Sequence, residues 1–201
     1  MKSLTQEEII EYLYQCYVKA DGLWFVKVEE QFGFDKALEI DAEVWKIIPK
    51  IQARILKSNL INSLSVTKYT GKDNLVVNKI NQSPSQISVQ GLAQPEAIDK
   101  KIIMDIFIKA LQIKLKLDRF KFNLTKNKNL IFVKITECPW HNILIKSKRE
   151  NLSSKIGSNI CKTEYSVFAS EFEPEIKLNL SSQICIKDNF CNLIFKIPYD
   201  L

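Results

Sequence analysis

The sequence predicts an α+β fold: a helical N-terminal part followed by an antiparallel β-sheet with helices packed on one face. Three observations carry this. Apolar residues recur at helical spacing through the first 60 or so positions. Two pairs of segments in the second half alternate apolar and polar residues, as strands do when one face is buried. Composition is that of an ordinary globular protein, with 46% hydrophobic and 26% charged residues over 201 positions.

Thr5 and Glu8 form an S/T-x-x-E capping box ahead of Ile9, Ile10, Leu13, Tyr14 and Tyr17. The spacing predicts a first helix over 5–20, ended by Asp21-Gly22. A second helix over 23–31 is interrupted by Phe32-Gly33-Phe34. Asp35 is placed to cap a third, with Leu38, Val44, Trp45, Ile48, Ile51 and Ile55 on one stripe and a kink or break expected at Pro49. Asp41 falls on that stripe, and a buried acid needs a partner, for which Arg54 is the candidate.

Residues 62–94 are rich in Ser, Asn, Gln and Thr and read as a linker or a hairpin of Leu64–Tyr69 with Leu75–Ile80 around Thr70-Gly71-Lys72-Asp73. The expected organisation is therefore a helical region over 1–61, this connection, and an α+β ligand-binding-like domain over 95–201. Pro95 suits the first turn of a helix reaching Leu117. Phe120, Phe122 and Leu124 then alternate, as do Ile131, Val133 and Ile135, across a Lys-Asn-Lys-Asn turn. Cys138-Pro139 closes the second strand and opens helical segments to Phe172, with a break expected near Gly157. Strands at Ile176–Leu180 and Cys191–Ile197 complete the order α-β-β-α-α-β-β.

The net charge of +6 does not point to nucleic acid, because only Arg54, Arg119 and Arg149 among the 29 basic residues are arginine. Arginine is the residue suited to bidentate phosphate contacts, and the lysines are scattered. The N-terminus has no apolar signal core, and no apolar run approaches the roughly 18 residues that span a bilayer. A cytoplasmic protein is expected, with its five cysteines as thiols, ligands or redox groups.

Chemistry concentrates around Cys138, Cys161, Cys185 and Cys191. Only Cys185 and Cys191 are close in sequence, and their spacing is looser than the C-x2–4-C pair of most zinc sites. Three roles stand open: core thiols, a zinc or iron site made by all four, or a nucleophile. For the last, Cys138 has the best setting. It stands at a helix N-terminus, which favours thiolate, and His141, the chain's one histidine, lies one turn on as a base. Cys161, Glu164, Tyr165 and Phe168 share a helix face that mixes a thiol, an acid and a phenol. Near the N-terminus Asp21 lies beside Trp24 and Phe25, with Glu29 and Glu30 following; carboxylates here suit a metal or a cationic ligand. Phosphate loops, G-x-S-x-G, H-E-x-x-H and C-x-x-C motifs are absent.

Two stretches carry a family resemblance. The first runs from Asp21-Gly-Leu-Trp-Phe through Val44-Trp45 to Ala53-Arg54; the second comprises Cys138-Pro-Trp-His, Cys161-Lys-Thr-Glu-Tyr165, Phe168-Ala169, Cys185 and Cys191. Both resemble a prokaryotic family of L-2-amino-thiazoline-4-carboxylic acid hydrolase-like proteins, and the second is similar to the 4-vinyl-reductase-type small-molecule-binding domain. The resemblance implies a ligand pocket and hydrolysis of a C–N bond, with Cys138, His141 and Glu164 catalytic and Trp24, Glu29, Arg54 and Tyr165 binding ligand. Trp45 is a further position of interest. The alternative is a ligand-binding or sensor domain without catalysis, dimeric through its helical part.

Overall fold

The structure, a computed structural model, describes residues 3–69 and 100–198. Helix α1 (Gln6–Phe32) begins at the capping box: the Thr5 amide donates to Glu8 Oε2 at 2.7 Å and the Glu8 amide donates to Thr5 Oγ1 at 3.2 Å. It then runs straight through Asp21-Gly22, so the two helices expected here are one. A glycine inside a helix costs only about 1 kcal/mol against alanine, and the strong helix formers on both sides outweigh it. The helix ends instead at Gly33, whose φ of 81° favours glycine, with its amide donating to the Glu29 carbonyl at 2.8 Å.

Helix α2 (Phe34–Val44) is preceded by Gly33, so Asp35 sits in the first turn and is not the cap. Of the kink or break expected at Pro49, the structure has a break, placed slightly earlier at 45–47. Pro49 lies in the first turn of helix α3 (Ile48–Tyr69), where its missing N–H breaks no bond. That helix passes the boundary expected at 61, and Leu64–Tyr69 is helix, not strand. Short apolar runs do not distinguish the two by periodicity. The turn at 70–73, the strand at 75–80 and the Pro95 helix start lie outside the described residues.

Helix α4 (Lys100–Leu117) leads into the hairpin of strands β1 (Lys121–Asn127) and β2 (Leu130–Glu137). Helices α5 (Pro139–Lys146) and α6 (Ser153–Ser170) follow, then strands β3 (Lys177–Ser182) and β4 (Cys191–Lys196). The sheet is antiparallel in the order β1-β2-β4-β3. Its register pairs Leu124 with Val133, Val133 with Leu193, and Leu180 with Leu193. Alternation therefore puts Ile131, Val133, Ile135, Leu193 and Phe195 on one buried face, and Asn123, Lys134, Asn179 and Asn192 on the other.

The buried face shares one core with Met104, Phe107, Leu111 and Leu115 of α4, Tyr165 and Phe168 of α6, and Ala53 of α3. Phe107 lies 5.4 Å from both Phe172 and Phe195, ring centre to ring centre. Each large apolar side chain buried this way contributes about 1.5–3 kcal/mol. Because Ala53, Leu56 and Leu60 join this core, α3 is part of the body that the sheet builds, and the expected division between a helical region and a later domain does not separate two cores. A smaller cluster of Leu38, Trp45 and Ile160, with Phe25 and Trp140 against it, fastens α2 to α6.

The break between α5 and α6 falls at 147–149, where Lys148 has φ 60°, and not near Gly157. Gly157 lies inside α6 for a packing reason: a Cβ there would stand 2.4 Å from Cys185 Sγ. Among the described residues no helix is long and apolar enough to cross a membrane.

Candidate functional site

The four late cysteines, far apart in sequence, line one cavity of about 120 Å³. Cys138 follows β2 and is the residue before α5; Cys191 opens β4 and pairs with Ile135. Cys161 comes from the middle of α6. Cys185 belongs to a 3₁₀ turn at Ile184–Ile186, held close to α6 because Gly157 has no side chain. The Ile184 amide donates to Cys191 Sγ at 3.3 Å, which ties that turn to the start of β4. The sheet thus delivers two thiols, α6 one, and the β3–β4 connection the fourth.

All four thiols are held protonated at neutral pH. Burial pushes Cys138 up to about 12, against the opposing pull of the His141 and Trp140 backbone N–H groups. The helix N-terminus expected to lower this thiol is present, but desolvation outweighs it. Burial raises Cys161 well above the ordinary thiol range, with Glu164 adding to the effect, and also raises Cys185 and Cys191. No side-chain hydrogen bond joins Cys138 to His141, the pair expected as nucleophile and base; His141 Nδ1 lies 2.6 Å from Ser153 Oγ, although both Cys138 and His141 line the cavity. Among the described residues no three His, Cys, Asp or Glu side chains are placed to hold one metal ion. The zinc or iron site expected at Cys138, Cys161, Cys185 and Cys191 thus has its thiols in one cavity but not as a ligand set.

Glu164 and Tyr165 line the same cavity. Glu164 Oε1 stands 2.6 Å from Lys114 Nζ, and Lys114 also donates to Asp118 at 2.6 Å. Burial alone would lower Lys114, but the two carboxylates reverse this and keep it charged. Burial raises Glu164 despite Lys114 beside it. Tyr165 is buried and its hydroxyl has no hydrogen-bond partner among the described residues. Burial pushes its pKa well above the ordinary phenol range.

Asp21 and Asp41 close the cavity from α1 and α2. Neither forms an ion pair among the described residues. Burial, with Asp21 nearby, pushes Asp41 up to about 7, the indole N–H of Trp45 pulling the other way. Burial raises Asp21 as well. Both also line an open groove of about 590 Å³ between α1 and α5, so this pair, Trp140 and Ile156 form the wall common to groove and cavity.

The other expected residues lie elsewhere. Trp24 is 58% exposed on α1. Glu29 pairs with Arg149. Arg54 pairs with Glu171 at 2.8 Å on the surface, so it is not the partner of Asp41. None of the three lines the cavity, whereas Trp45 does, its ring edge-on to Trp140 at 6.1 Å. The functional groups not foreseen are Lys114, Asp118 and Ser153. A lysine on the apolar stripe of α4 with an aspartate four residues on is the pattern that reveals the first two.

A family of unknown function (DUF6125) matches residues 2–82. No curated protein and no solved structure matches the chain. The family similarity therefore covers α1, α2 and α3, including Asp21, Asp41 and Trp45, and stops before the strands that supply the thiols.

Proposed function

We propose that the chain is a small-molecule-binding domain whose ligand sits in the cavity between the sheet, α5 and α6, reached from the groove beside α1. The supporting observation is convergence: four cysteines, Glu164, Tyr165 and Asp41, drawn from five separate segments, line one mostly apolar space. In this reading the helices cover one face of the sheet, which the concentration of its buried residues on that face supports. The absence of disulfides fits a cytoplasmic setting. The exposed Ile10, Leu13 and Trp24 of α1 support dimerisation through that helix with a second copy.

A second reading, hydrolysis of a C–N bond, is favoured by one observation: Asp41, with its pKa near 7, faces the same cavity as His141 and Glu164, and a base tuned to neutral pH serves proton transfer. Cys138 enters that reading as a cavity-lining thiol, since its pKa opposes a nucleophilic thiolate. A zinc or iron ion on the thiols is a third occupant, checked by elemental analysis.

The binding reading is tested by fragment titration followed by NMR of the indole N–H signals. Ligands of up to about six non-hydrogen atoms suit the cavity. They are expected to shift Trp45 and Trp140 and to leave the exposed Trp24 in place. A screen in which no fragment moves Trp45 or Trp140 contradicts the reading.

A further inference from the structure

The charges around the cavity do not balance. Lys114 is the one ammonium that approaches the cavity-lining acids among the described residues, and it is already held by Glu164 and Asp118 at 2.6 Å each. His141 is engaged with Ser153. Asp21 and Asp41 remain, two carboxyls on adjacent helices, both on the wall where the groove meets the cavity; neither forms an ion pair among the described residues, and no lysine or arginine lines the cavity, although Lys19, Lys146, Arg119 and Arg149 line the outer groove, the two arginines paired with Glu11 and Glu29. Desolvated carboxyls without a counter-charge are costly, and burial raises the pKa of both Asp21 and Asp41.

Three further features at the same place favour a positive charge of external origin. Trp45 and Trp140 line the cavity beside the two acids, and Tyr17 packs edge-on against Trp140 at 6.4 Å. Aromatic faces next to carboxylates attract a cation through the ring quadrupole. Tyr165 lines the cavity with a fully buried hydroxyl that has no partner among the described residues, a polar group that a ligand heteroatom would satisfy. Size narrows the class: an apolar cavity of about 150 Å³ takes benzene, so about 120 Å³ takes a body of a few carbons.

We propose that the cavity binds a small organic cation, a short apolar body carrying a protonated amine, with its ammonium between Asp21 and Asp41 and its body among the thiols. This rests on the small-molecule-binding reading and deepens it. The groove side admits the molecule, and the acids at the shared wall select its charge. Cys138, Cys161, Cys185 and Cys191 then serve as small, polarizable apolar lining.

The test compares n-butylamine, n-butanol and butyrate at pH 7.5, reading the indole N–H signals of Trp45 and Trp140 with Trp24 as the internal control. n-Butylamine is expected to bind at least about tenfold more tightly than n-butanol, and butyrate not at all. Replacing both acids, Asp21→Asn with Asp41→Asn, is expected to remove the preference for the amine and to keep n-butanol binding. Should that pair not fold, Asp21→Asn alone is expected to reduce the ratio. Equal binding of amine and alcohol overturns the cation assignment and leaves the cavity as a ligand site. No shift at Trp45 or Trp140 with any of the three overturns the assignment together with the binding reading.

Discussion

Around β2 and β4 the side chains of Ile131, Val133, Phe195, Phe107 and Phe168 are wholly buried, whereas α1, 27 residues long, buries only Val28. The two regions are held by different forces. The body rests on apolar burial, which is insensitive to salt. Helix α1 is fastened by peripheral contacts: Glu11 with Arg119, whose guanidinium also stacks 3.7 Å from the Tyr14 ring, Glu29 with Arg149, and Tyr17 on Trp140. The exposed Glu11–Arg119 pair contributes little and weakens as salt rises, while the half-buried Glu29–Arg149 pair is screened less. The cavity lies where these regions meet. The strongly packed body supplies the thiols, Glu164 and Tyr165, and the lightly packed helices supply Asp21 and Asp41. The segment similar to a known family spans both regions: it takes in the lightly packed α1 and also α3, whose Ala53, Leu56 and Leu60 join the core of the body.

The comparison is broken most strongly inside the body. Lys114→Met leaves Glu164 and Asp118 without their cation in a buried place and is expected to destabilise by about 3–5 kcal/mol, read as a lower urea midpoint. A loss below about 1 kcal/mol would mean the pair is solvated and the body less closed than described.

At the seam between α6 and the β3–β4 connection, Gly157→Ala drives a methyl into Cys185 Sγ, 2.4 Å away. The expected loss is about 1–3 kcal/mol, although alanine is the better helix former. Adding Cys185→Ala is expected to recover part of it, and an additive double variant would contradict the contact.

A smaller effect is expected on the helical cover, and its sign depends on pH. In the unfolded chain Asp41 ionises near its ordinary 3.8; in the fold it keeps its proton up to about 7. Its share of stability is therefore complete below the unfolded value and lost as pH rises from about 4 to about 7. Asp41→Asn cannot ionise, so its melting temperature should match the parent at pH 4 and exceed it at pH 7.5. Equal melting temperatures at both values would place Asp41 in water.

The smallest effect belongs to Arg54→Ala. Its pair with Glu171 is solvent-exposed on the arginine side, and the expected change is below about 1 kcal/mol with ligand binding untouched. Loss of binding in this variant would return Arg54 to the site.

Local rules read from sequence succeeded where the deciding contacts are local. The Thr5–Glu8 box and the β1–β2 hairpin depend on neighbours a few residues apart, and both stand as expected. Gly22 and Gly157 were expected to break helices and do not, because a glycine in a helix is cheap and Gly157 is required by Cys185 from another segment. The same separation hid the buried Lys114–Glu164 pair, which joins α4 to α6 across 50 positions that give no local sign of it. The cysteines were singled out by residue type, and the structure gathers them. The lowered pKa expected of Cys138 is the point of difference, because a helix N-terminus is visible in sequence while the burial that outweighs it is not.

The most direct measurement is the rate at which each cysteine is alkylated by iodoacetamide in the folded protein at pH 7.5, resolved by peptide mass spectrometry. Exposed Cys16 serves as the reference thiol. The account predicts that Cys138, Cys161, Cys185 and Cys191 all react far more slowly than Cys16, and that all five react alike after unfolding in urea. Cys138 reacting faster than Cys16 in the folded state would contradict it, because that requires a thiolate nucleophile where the structure places a buried, protonated thiol.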